Sequence, residues 1–324
     1  MNFHKIRIIS LAALLSSFFS NAQETKEFKM EGNPLVKHMY TADPSARVFN
    51  DKLYVYTSHD ENDATYFDML DWHVFSTDNL VDWKDHGAIL SIDQIDWAEK
   101  WAWAPDAISR NGKYYFYYPV ERAKIGVAVS DTPEGPFVDE LKKPLIDHTN
   151  QIEKIGREPI DPALLVHDNQ AYMYFGCRDL RVVKLNENMM ELDGDVMPLE
   201  IKGIEGDKEN EKGGFYGEGP WVFEREGKFY FMYSNGWGEE STLVYAMADN
   251  PLGPFEFVGE VMSPVDSWTS HGSIVEFKGK WYVFYHNMKL SKNNHRRSIC
   301  FDEITFDKEG KINYLDLDAD TKEK

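Results

Sequence analysis

The sequence predicts an all-β protein, a five-bladed β-propeller with four antiparallel strands per blade. Three observations lead to this prediction: a segment layout that recurs five times, a tight turn inside each segment, and an unusual supply of aromatic side chains. Phe, Tyr and Trp number 20, 17 and 9, which is 14% of the 324 residues. Aromatic side chains favour strands, and they fill the space between sheets that pack face to face.

Each repeat begins with a polar anchor residue beside a proline or a glycine. The five anchors are Asp43, Asp106, Asp161, Glu218 and His271. A short apolar strand, a turn dipeptide such as Asn111-Gly112 and an aromatic-rich strand follow each anchor, which is the pattern of a β-hairpin. Successive anchors are 63, 55, 57 and 53 residues apart. Four-stranded units at this spacing are typical of propeller blades, whereas a two-sheet sandwich does not repeat one hairpin five times.

The segments that follow the hairpins keep the same rhythm. Residues 131–137 and 249–255 form nearly matching loops after the third strands of the second and fourth repeats. Residues 202–214 are charged and glycine-rich, which predicts an exposed loop between the third and fourth blades. Five blades account for residues 23–324, so we expect a single domain there.

The first 22 residues have the composition of a signal peptide. Lys5 and Arg7 precede an apolar run over residues 8–19, and Ser20 and Ala22 suit cleavage after Ala22. The apolar run is too short to cross a bilayer as a helix. We therefore expect an exported protein, periplasmic or secreted, with no membrane span. Its charge after cleavage would be −22, because the segment holds two basic residues and no acidic one.

The composition excludes several classes of protein. The chain carries 55 acidic and 35 basic residues, a formal charge of −20. A phosphate backbone needs a face rich in Lys and Arg, so this charge argues against nucleic acid as a partner. Two cysteines, Cys177 and Cys300, are too few for a disulfide scaffold or a cysteine-rich zinc site, and the sequence does not determine whether they pair.

The anchors should meet at one place in the fold. The first strand of every propeller blade lines the central channel, so residues at the starts of these strands crowd one mouth of it. Four carboxylates and an imidazole together are electrostatically costly unless they perform chemistry or bind a cation. Two carboxyl groups that face each other, one protonated and one ionised, suit the hydrolysis of a glycosidic bond. Asp43 and Glu218 are the candidate pair, and the charge of Asp161 on the next blade would raise the pKa of Glu218.

Four motifs occur in order at blade spacing: Asp43-Pro44-Ser45, Trp103-Ala104-Pro105-Asp106, Asp161-Pro162-Ala163 and Tyr216-Gly217-Glu218-Gly219-Pro220. As an ordered set they resemble glycoside hydrolase family 43, and the resemblance spans residues 33–315. It implies a five-bladed propeller that is itself the catalytic domain. It also implies an inverting mechanism that acts on arabinose- or xylose-containing polysaccharides.

The resemblance implies roles for individual residues as well. Asp43 matches the general base that activates water, Glu218 matches the general acid, and Asp161 matches the residue that orients this acid and tunes its pKa. His271 matches a histidine near the axis that in many members helps to hold a hydrated calcium ion. A neutral imidazole is a poor ligand for calcium, which prefers oxygen, so we expect contact through water and no required cofactor.

Further residues are candidates for holding the sugar. The family carries an arginine after the second strand of the fifth blade, and of Arg296 and Arg297 the spacing to the next strand favours Arg297. Aromatic rings near the mouth are candidate platforms, because a ring stacked on a sugar face excludes water and fixes its orientation. The other candidates for substrate binding are Trp103, Asp106, Tyr216 and Trp237, with Phe67 and Trp72 as weaker ones.

Together these features predict an exported, inverting, exo-acting glycosidase. It would remove terminal α-L-arabinofuranosyl or β-D-xylosyl units from plant hemicellulose or pectin. Two alternatives stay open: arabinanase-type cleavage within the chain, and a non-catalytic propeller that only binds carbohydrate. An exo enzyme needs a closed pocket and an endo enzyme an open groove, so the shape of the loops decides between them.

Overall fold

The computed structural model describes residues 25–149, 152–204 and 215–318, and these residues form a five-bladed β-propeller. The predicted all-β fold is therefore confirmed. The predicted signal peptide and most of the predicted loop at 202–214 lie outside the described residues. Within the described ranges, no helix is both long enough and apolar enough to cross a membrane.

Blades I and II each contain four consecutive antiparallel strands, and blade I has a fifth at its outer edge. Blade I has the order β1-β5-β4-β3-β2 and consists of β1 (Lys26–Lys29), β2 (Tyr40–Phe49), β3 (Lys52–Asp60), β4 (Asp71–Thr77) and β5 (Asp82–Ser91). A short 3₁₀ helix follows at Ile92–Gln94. Blade II consists of β6 (Asp106–Arg110), β7 (Lys113–Val120), β8 (Lys124–Ser130) and β9 (Ile146–Asp147).

Blades III and IV repeat the arrangement, and a short helix, α1 (Ile152–Ile155), precedes blade III. Blade III consists of β10 (Ala163–His167), β11 (Gln170–Phe175), β12 (Arg181–Leu185) and β13 (Met197–Pro198). Blade IV has the order β14-β18-β17-β16-β15 and consists of β14 (Ile201–Lys202), β15 (Glu218–Arg225), β16 (Lys228–Ser234), β17 (Leu243–Ala248) and β18 (Phe255–Glu260). Blade V consists of β19 (Gly272–Phe277), β20 (Lys280–Asn287) and β21 (Ser298–Ile304).

The number of strands per blade varies from three to five, which refines the prediction of four. Backbone groups at a free sheet edge need partners, and segments outside the repeat supply them. In blade V the N-terminal segment lies along β21, where Leu35 N donates to Ile299 O at 2.8 Å and Thr41 N donates to Arg297 O at 3.0 Å. This segment occupies the place of a fourth strand and joins the last blade to the first.

The five predicted turns between the first and second strands all adopt one geometry. Both residues of each dipeptide have φ between 48° and 77°, which is the type I′ turn that suits the twist of a hairpin. The dipeptides are Asn50-Asp51, Asn111-Gly112, Asp168-Asn169, Glu226-Gly227 and Lys278-Gly279. The turn residues therefore set the register of every hairpin that carries an anchor.

The aromatic residues pack between neighbouring blades, as the composition indicated. At the junction of blades I and II, Tyr56 and Trp72 are fully buried against Phe116 and Tyr118, and the Trp72 and Tyr118 ring centroids lie 5.1 Å apart. Trp72 was a weak candidate for sugar binding, and this position in the core excludes that role.

The matching loops at 131–137 and 249–255 perform the same task at two junctions. The Tyr56 hydroxyl donates to Pro133 O at 2.7 Å, and the Tyr174 hydroxyl donates to Pro251 O at 2.8 Å. In each case a tyrosine of one blade is bonded to the loop of the next blade. The loops therefore stabilise contacts between blades.

Candidate active site

A cavity of about 230 Å³ receives side chains from all five blades. Four of the five anchors line it, namely Asp43, Asp161, Glu218 and His271. Pockets for drug-sized ligands have roughly 300–1,000 Å³, so this cavity has the size for a smaller molecule such as one sugar unit. The expectation that anchors from separate repeats converge is met for these four.

Local backbone geometry points the anchors into the cavity. Asp43 and Asp161 have φ of 54° and 56°, the left-handed region that Asp tolerates better than most residues. The pairing of β2 with β3 shifts register between Ala42 and Ser45, so Asp43 lies in a bulge. A second shift follows Glu218 in β15. Bulges of this kind redirect side chains and are frequent beside active sites.

The Asp43 carboxylate is buried and held by two donors. Ser58 Oγ donates to Asp43 Oδ2 at 2.6 Å, and Arg297 Nη1 donates to Asp43 Oδ1 at 3.0 Å. Burial by itself would raise the pKa of Asp43, but the opposing effects, led by the guanidinium of Arg297 and including the hydrogen bond from Ser58, lower this pKa to about 2. Asp43 is therefore ionised at neutral pH.

His286 lies beside Asp43 and is neutral. Asp43 N donates to His286 Nδ1 at 3.1 Å, so this nitrogen carries no proton, and Nε2 is 3.0 Å from Thr269 O, to which it can donate. Burial and the nearby charge of Arg297 together lower the pKa of His286 to about 3. The cation that acts on Asp43 is thus Arg297.

Arg297 is fixed by a second carboxylate, Asp60, at the end of β3. Asp60 Oδ2 accepts the backbone N–H of Arg297 at 2.7 Å and Nε at 3.0 Å, and Asp60 Oδ1 accepts Nη2 at 2.9 Å. Both side chains are buried. The guanidinium is therefore locked by Asp60 on one side and presented to Asp43 on the other, and its pKa is raised by these two negative charges although burial opposes this.

Glu218 and Asp161 form a second group of carboxyls in the cavity. Asp161 Oδ2 accepts the N–H of Gly219 at 2.9 Å, which ties it to the residue after Glu218. Burial raises the pKa of Glu218 to about 7; a hydrogen bond from Trp237 opposes this shift and the charge of Asp43 adds to it. Burial and the charge of Glu218 raise the pKa of Asp161 too. Near neutral pH this pair retains a proton, whereas Asp43 does not.

Aromatic side chains form one wall of the cavity. Phe67 and Trp268 stack with ring centroids 6.3 Å apart and planes at 6°, so loops of blades I and V meet there. Trp103 Nε1 donates to Phe67 O at 2.8 Å and its ring stacks on Trp101. Trp103 lines the cavity, as predicted, and so does Phe67.

A family model described as Glycosyl hydrolases family 43 matches residues 32–312 of this chain. The chain belongs to glycosyl hydrolase family 43. It is therefore a glycosidase. A xylosidase/arabinosidase of Humicola insolens is 39% identical over 332 residues, covering 86% of this chain and 98% of that protein. A xylosidase/arabinosidase of Bacteroides ovatus is 37% identical and covers 88% and 97%.

A solved structure is also similar to this family 43 chain. It is a β-xylosidase/α-arabinofuranosidase from a compost microbial metagenome, in complex with xylotriose and in a calcium-free form. It is similar to the present chain with a TM-score of 0.78 and 36% identity, and it covers 90% of this chain and 99% of its own. The fold and the enzyme class thus agree with those of relatives matched over nearly their whole length.

Asp106, the second anchor, requires a correction for this family 43 enzyme. It was expected to bind substrate, but it is buried and absent from the cavity lining. It accepts hydrogen bonds from Ser45 Oγ at 2.5 Å, Arg47 Nε at 2.9 Å and Leu164 N at 2.7 Å. These donors belong to blades I and III, so Asp106, which opens blade II, joins three blades outside the cavity lining.

Tyr216 differs from its expected role as a sugar platform, whereas Trp237 lines the cavity as a platform should. Tyr216 is buried outside the cavity lining, and its hydroxyl donates to Gly176 O at 2.6 Å. Trp237 lines the cavity, Arg178 lies over one face of its ring at 4.6 Å from the centroid, and Trp237 hydrogen-bonds to Glu218. Tyr216 is therefore a core residue, and Trp237 holds the carboxyl group of Glu218.

His271 does not offer a calcium site by direct ligation. Its Nδ1 is 3.9 Å from Asp43 Oδ1, and this carboxylate is already engaged by Arg297. Burial lowers the pKa of His271, so it presents a neutral imidazole and not the oxygens that calcium prefers. The residues around His271 therefore do not fit a directly bound calcium ion, and only the predicted contact through water is compatible with them.

Sequence reasoning missed several residues that line or support the site: Asp60, Arg122, Glu158 and Arg178. Arg122 Nη2 donates to Glu158 Oε1 at 2.7 Å. Three of the four end or follow the second strand of a blade, as Asp60 does in β3 and Arg178 does after β11. In an antiparallel hairpin the end of the second strand lies beside the start of the first. Residues at the end of each second strand could therefore have been predicted to lie near the anchors.

Proposed function

We propose that this protein is an exported, inverting, exo-acting glycosidase that removes terminal α-L-arabinofuranosyl or β-D-xylosyl residues from plant hemicellulose or pectin. The observation that carries the proposal is that Asp43, Asp161 and Glu218 line one cavity of about 230 Å³. At neutral pH Asp43 is ionised, whereas the pair of Glu218 and Asp161 retains a proton. Hydrolysis of a glycosidic bond requires one ionised and one protonated carboxyl group, and the inverting course is proposed from the resemblance of the four motifs to the family.

In the proposed reaction Asp43 is the general base. It accepts a proton from a water molecule whose oxygen attacks the anomeric carbon, while Glu218 gives its proton to the leaving oxygen. Arg297 keeps Asp43 ionised, and its own position is fixed by Asp60. The bond from the water oxygen to the anomeric carbon forms as the glycosidic bond breaks. Asp43 takes up the proton that the water loses, and Glu218 supplies the proton that the leaving oxygen gains.

Asp161 is proposed to position the acid, while burial keeps Glu218 protonated. Its bond to Gly219 N fixes the backbone next to Glu218. Gly219 itself has φ of 63°, and a Cβ there would lie 3.2 Å from the His271 ring. The turn that holds Glu218 in place therefore depends on glycine and on the Asp161 carboxylate together.

Two features support exo action over cleavage within a chain. The cavity is small, and Phe67 stacked on Trp268 joins the loops of blades I and V along one side. Arg122 bonded to Glu158 borders the cavity from blades II and III. A groove for a continuous polysaccharide would need open ends, so a closed wall favours a terminal sugar.

The choice of sugar rests on relatives. Those from Humicola insolens and Bacteroides ovatus are named xylosidase/arabinosidase, and the metagenomic enzyme was solved with xylotriose. We therefore propose xylo-oligosaccharides and arabinoxylan as substrates. Export is supported by the composition of residues 1–22, and mass spectrometry of the mature N terminus would test cleavage after Ala22.

The test of this proposal is hydrolysis of paired aryl α-L-arabinofuranoside and β-D-xyloside substrates, followed by arabinoxylan and arabinan. We expect release of single sugars, and NMR of the first product should show the inverted anomer. Retention of the anomer would exclude Asp43 as the base. Internal cleavage of arabinan into oligosaccharides would support the arabinanase alternative instead.

A further inference from the structure

A second group of ionisable side chains lies on blade I, outside the active site. His59 on β3 and Asp71 and His73 on β4 form what we name the outer histidine cluster. Side chains alternate along a strand, and Phe75 on the same face packs with residues of blade V. The cluster therefore faces the junction of blades I and V.

Three ligand-type atoms of the cluster converge. His59 Nδ1 is 2.8 Å from Asp71 Oδ1, and His73 Nε2 is 3.5 Å from the same oxygen. The three atoms all lie within 4.8 Å of one another, and the described residues contain no other such group of three. Zinc–nitrogen bonds of about 2.0–2.1 Å in a tetrahedral site place ligand atoms roughly 3.3 Å apart, which is close to these spacings.

The far side of His73 is arranged as it is in metal sites. His73 is only 9% exposed, and its Nδ1 makes no hydrogen bond, although Asp85 Oδ1 lies 3.7 Å away. Asp85 is itself fixed by His38 Nε2 at 2.9 Å and by Gly87 N at 2.8 Å. Histidines that bind a metal through one nitrogen usually turn the other towards a carboxylate of this kind.

We propose that the outer histidine cluster binds one divalent transition-metal ion of the zinc class. His59 Nδ1, Asp71 Oδ1 and His73 Nε2 are the protein ligands, and Asp85 supports His73. Two imidazoles and one carboxylate suit zinc or cobalt, whereas calcium prefers oxygen ligands throughout. The site is separate from the axis and does not depend on the proposed glycosidase chemistry.

Metal binding here would fix both ends of one segment. His59 and Asp71 flank residues 61–70, and Tyr66 and Phe67 in that segment line the cavity. A bound ion would join the two ends through one centre. Amide hydrogen exchange in residues 61–70 should therefore slow when the ion binds, and this readout is independent of catalysis.

The test uses the mature protein without a histidine tag. Co²⁺ should bind with one equivalent per chain, give the visible absorption of a low-coordinate cobalt centre, and raise the unfolding temperature because it binds only the folded state. Zn²⁺ should displace it. His59→Gln with His73→Gln, and separately Asp71→Asn, should lower the affinity at least tenfold.

His167→Gln is the matched control, since His167 also lies between two carboxylates, Glu224 and Asp168, but belongs to no such cluster. Its affinity for Co²⁺ should be unchanged. Apo forms of all variants should keep the circular dichroism spectrum of the parent. Absence of stoichiometric binding at 100-fold excess Co²⁺ would overturn the proposal. So would binding that survives His59→Gln with His73→Gln, or that is abolished by His271→Gln and therefore belongs to the axis.

Discussion

Replacing Glu218 by Gln tests the proton donor directly. The change removes the proton and keeps the shape of the side chain. General acid catalysis contributes about 10²–10⁴-fold, which is about 2.7–5.4 kcal/mol at about 1.36 kcal/mol per tenfold. For a glycoside with a poor leaving group we expect kcat to fall by that factor. For a dinitrophenyl glycoside, whose leaving group needs no proton, we expect less than a tenfold loss.

The raised pKa of Glu218 sets the pH dependence. An acid must be protonated to act, so activity falls as pH rises through its pKa. With a pKa of about 7 instead of the usual 4.5, about half of Glu218 is protonated at pH 7, against about 0.3% otherwise, an advantage of about 150-fold. Because Asp43 has a pKa of about 2, the base stays ionised in mildly acidic solution and the profile should have only this basic limb.

The assay is kcat against pH for both leaving groups, with Glu158→Gln as the matched control. Glu158 also lines the cavity but is paired with Arg122 and has no proposed proton transfer. It should keep a basic limb, displaced slightly towards lower pH because the charge of Glu158 contributes to the raised pKa of Glu218, whereas Glu218→Gln should lose the limb. Equal losses for both leaving groups, or a basic limb that persists in Glu218→Gln, would refute the assignment of Glu218 as acid.

Four other changes test the remaining parts of the site. Asp43→Asn should lower kcat at least 10²-fold with little change in ligand affinity measured by calorimetry; unchanged kcat would exclude it as base. Asp60→Asn removes one of the two charges that balance the buried Arg297 and should destabilise the fold by about 3 kcal/mol in urea unfolding, and an unchanged midpoint would contradict this pairing. Gly219→Ala places a Cβ against His271 at positive φ and should cost about 1–2 kcal/mol in the same assay; parent-like stability would show that the turn relaxes. Chelation with EDTA should leave activity mostly intact, and complete, metal-reversible loss would make an ion essential.

The sequence was informative where the signal is local. The turn dipeptides and the five anchors recur at blade spacing, and the structure gives every turn the same φ signs. Asp43 and Glu218 were also visible from sequence, because each opens a repeat beside proline or glycine. In a propeller the starts of the first strands must meet at the axis, so periodicity alone brought these residues together.

Sequence could not distinguish the anchors that line the cavity from the one that does not, Asp106. Asp106 and Asp161 have similar neighbours in sequence. The Asp106 carboxylate accepts hydrogen bonds from Arg47 and Ser45, whereas Asp161 lines the cavity. The difference depends on which residues of other blades reach each carboxylate. Such contacts join residues 58 to 61 positions apart and carry no local pattern.

The sequence by itself determined the number of blades, the hairpin register and the type of acids near the axis, because turn chemistry and strand alternation act over a few residues. Only the tertiary structure decided the charge of those acids. Asp43 is ionised because Arg297 reaches it from a position 254 residues away, and Glu218 retains a proton because the blades bury it. Protonation depends on solvation and on nearby charges, and both are set by how the blades pack.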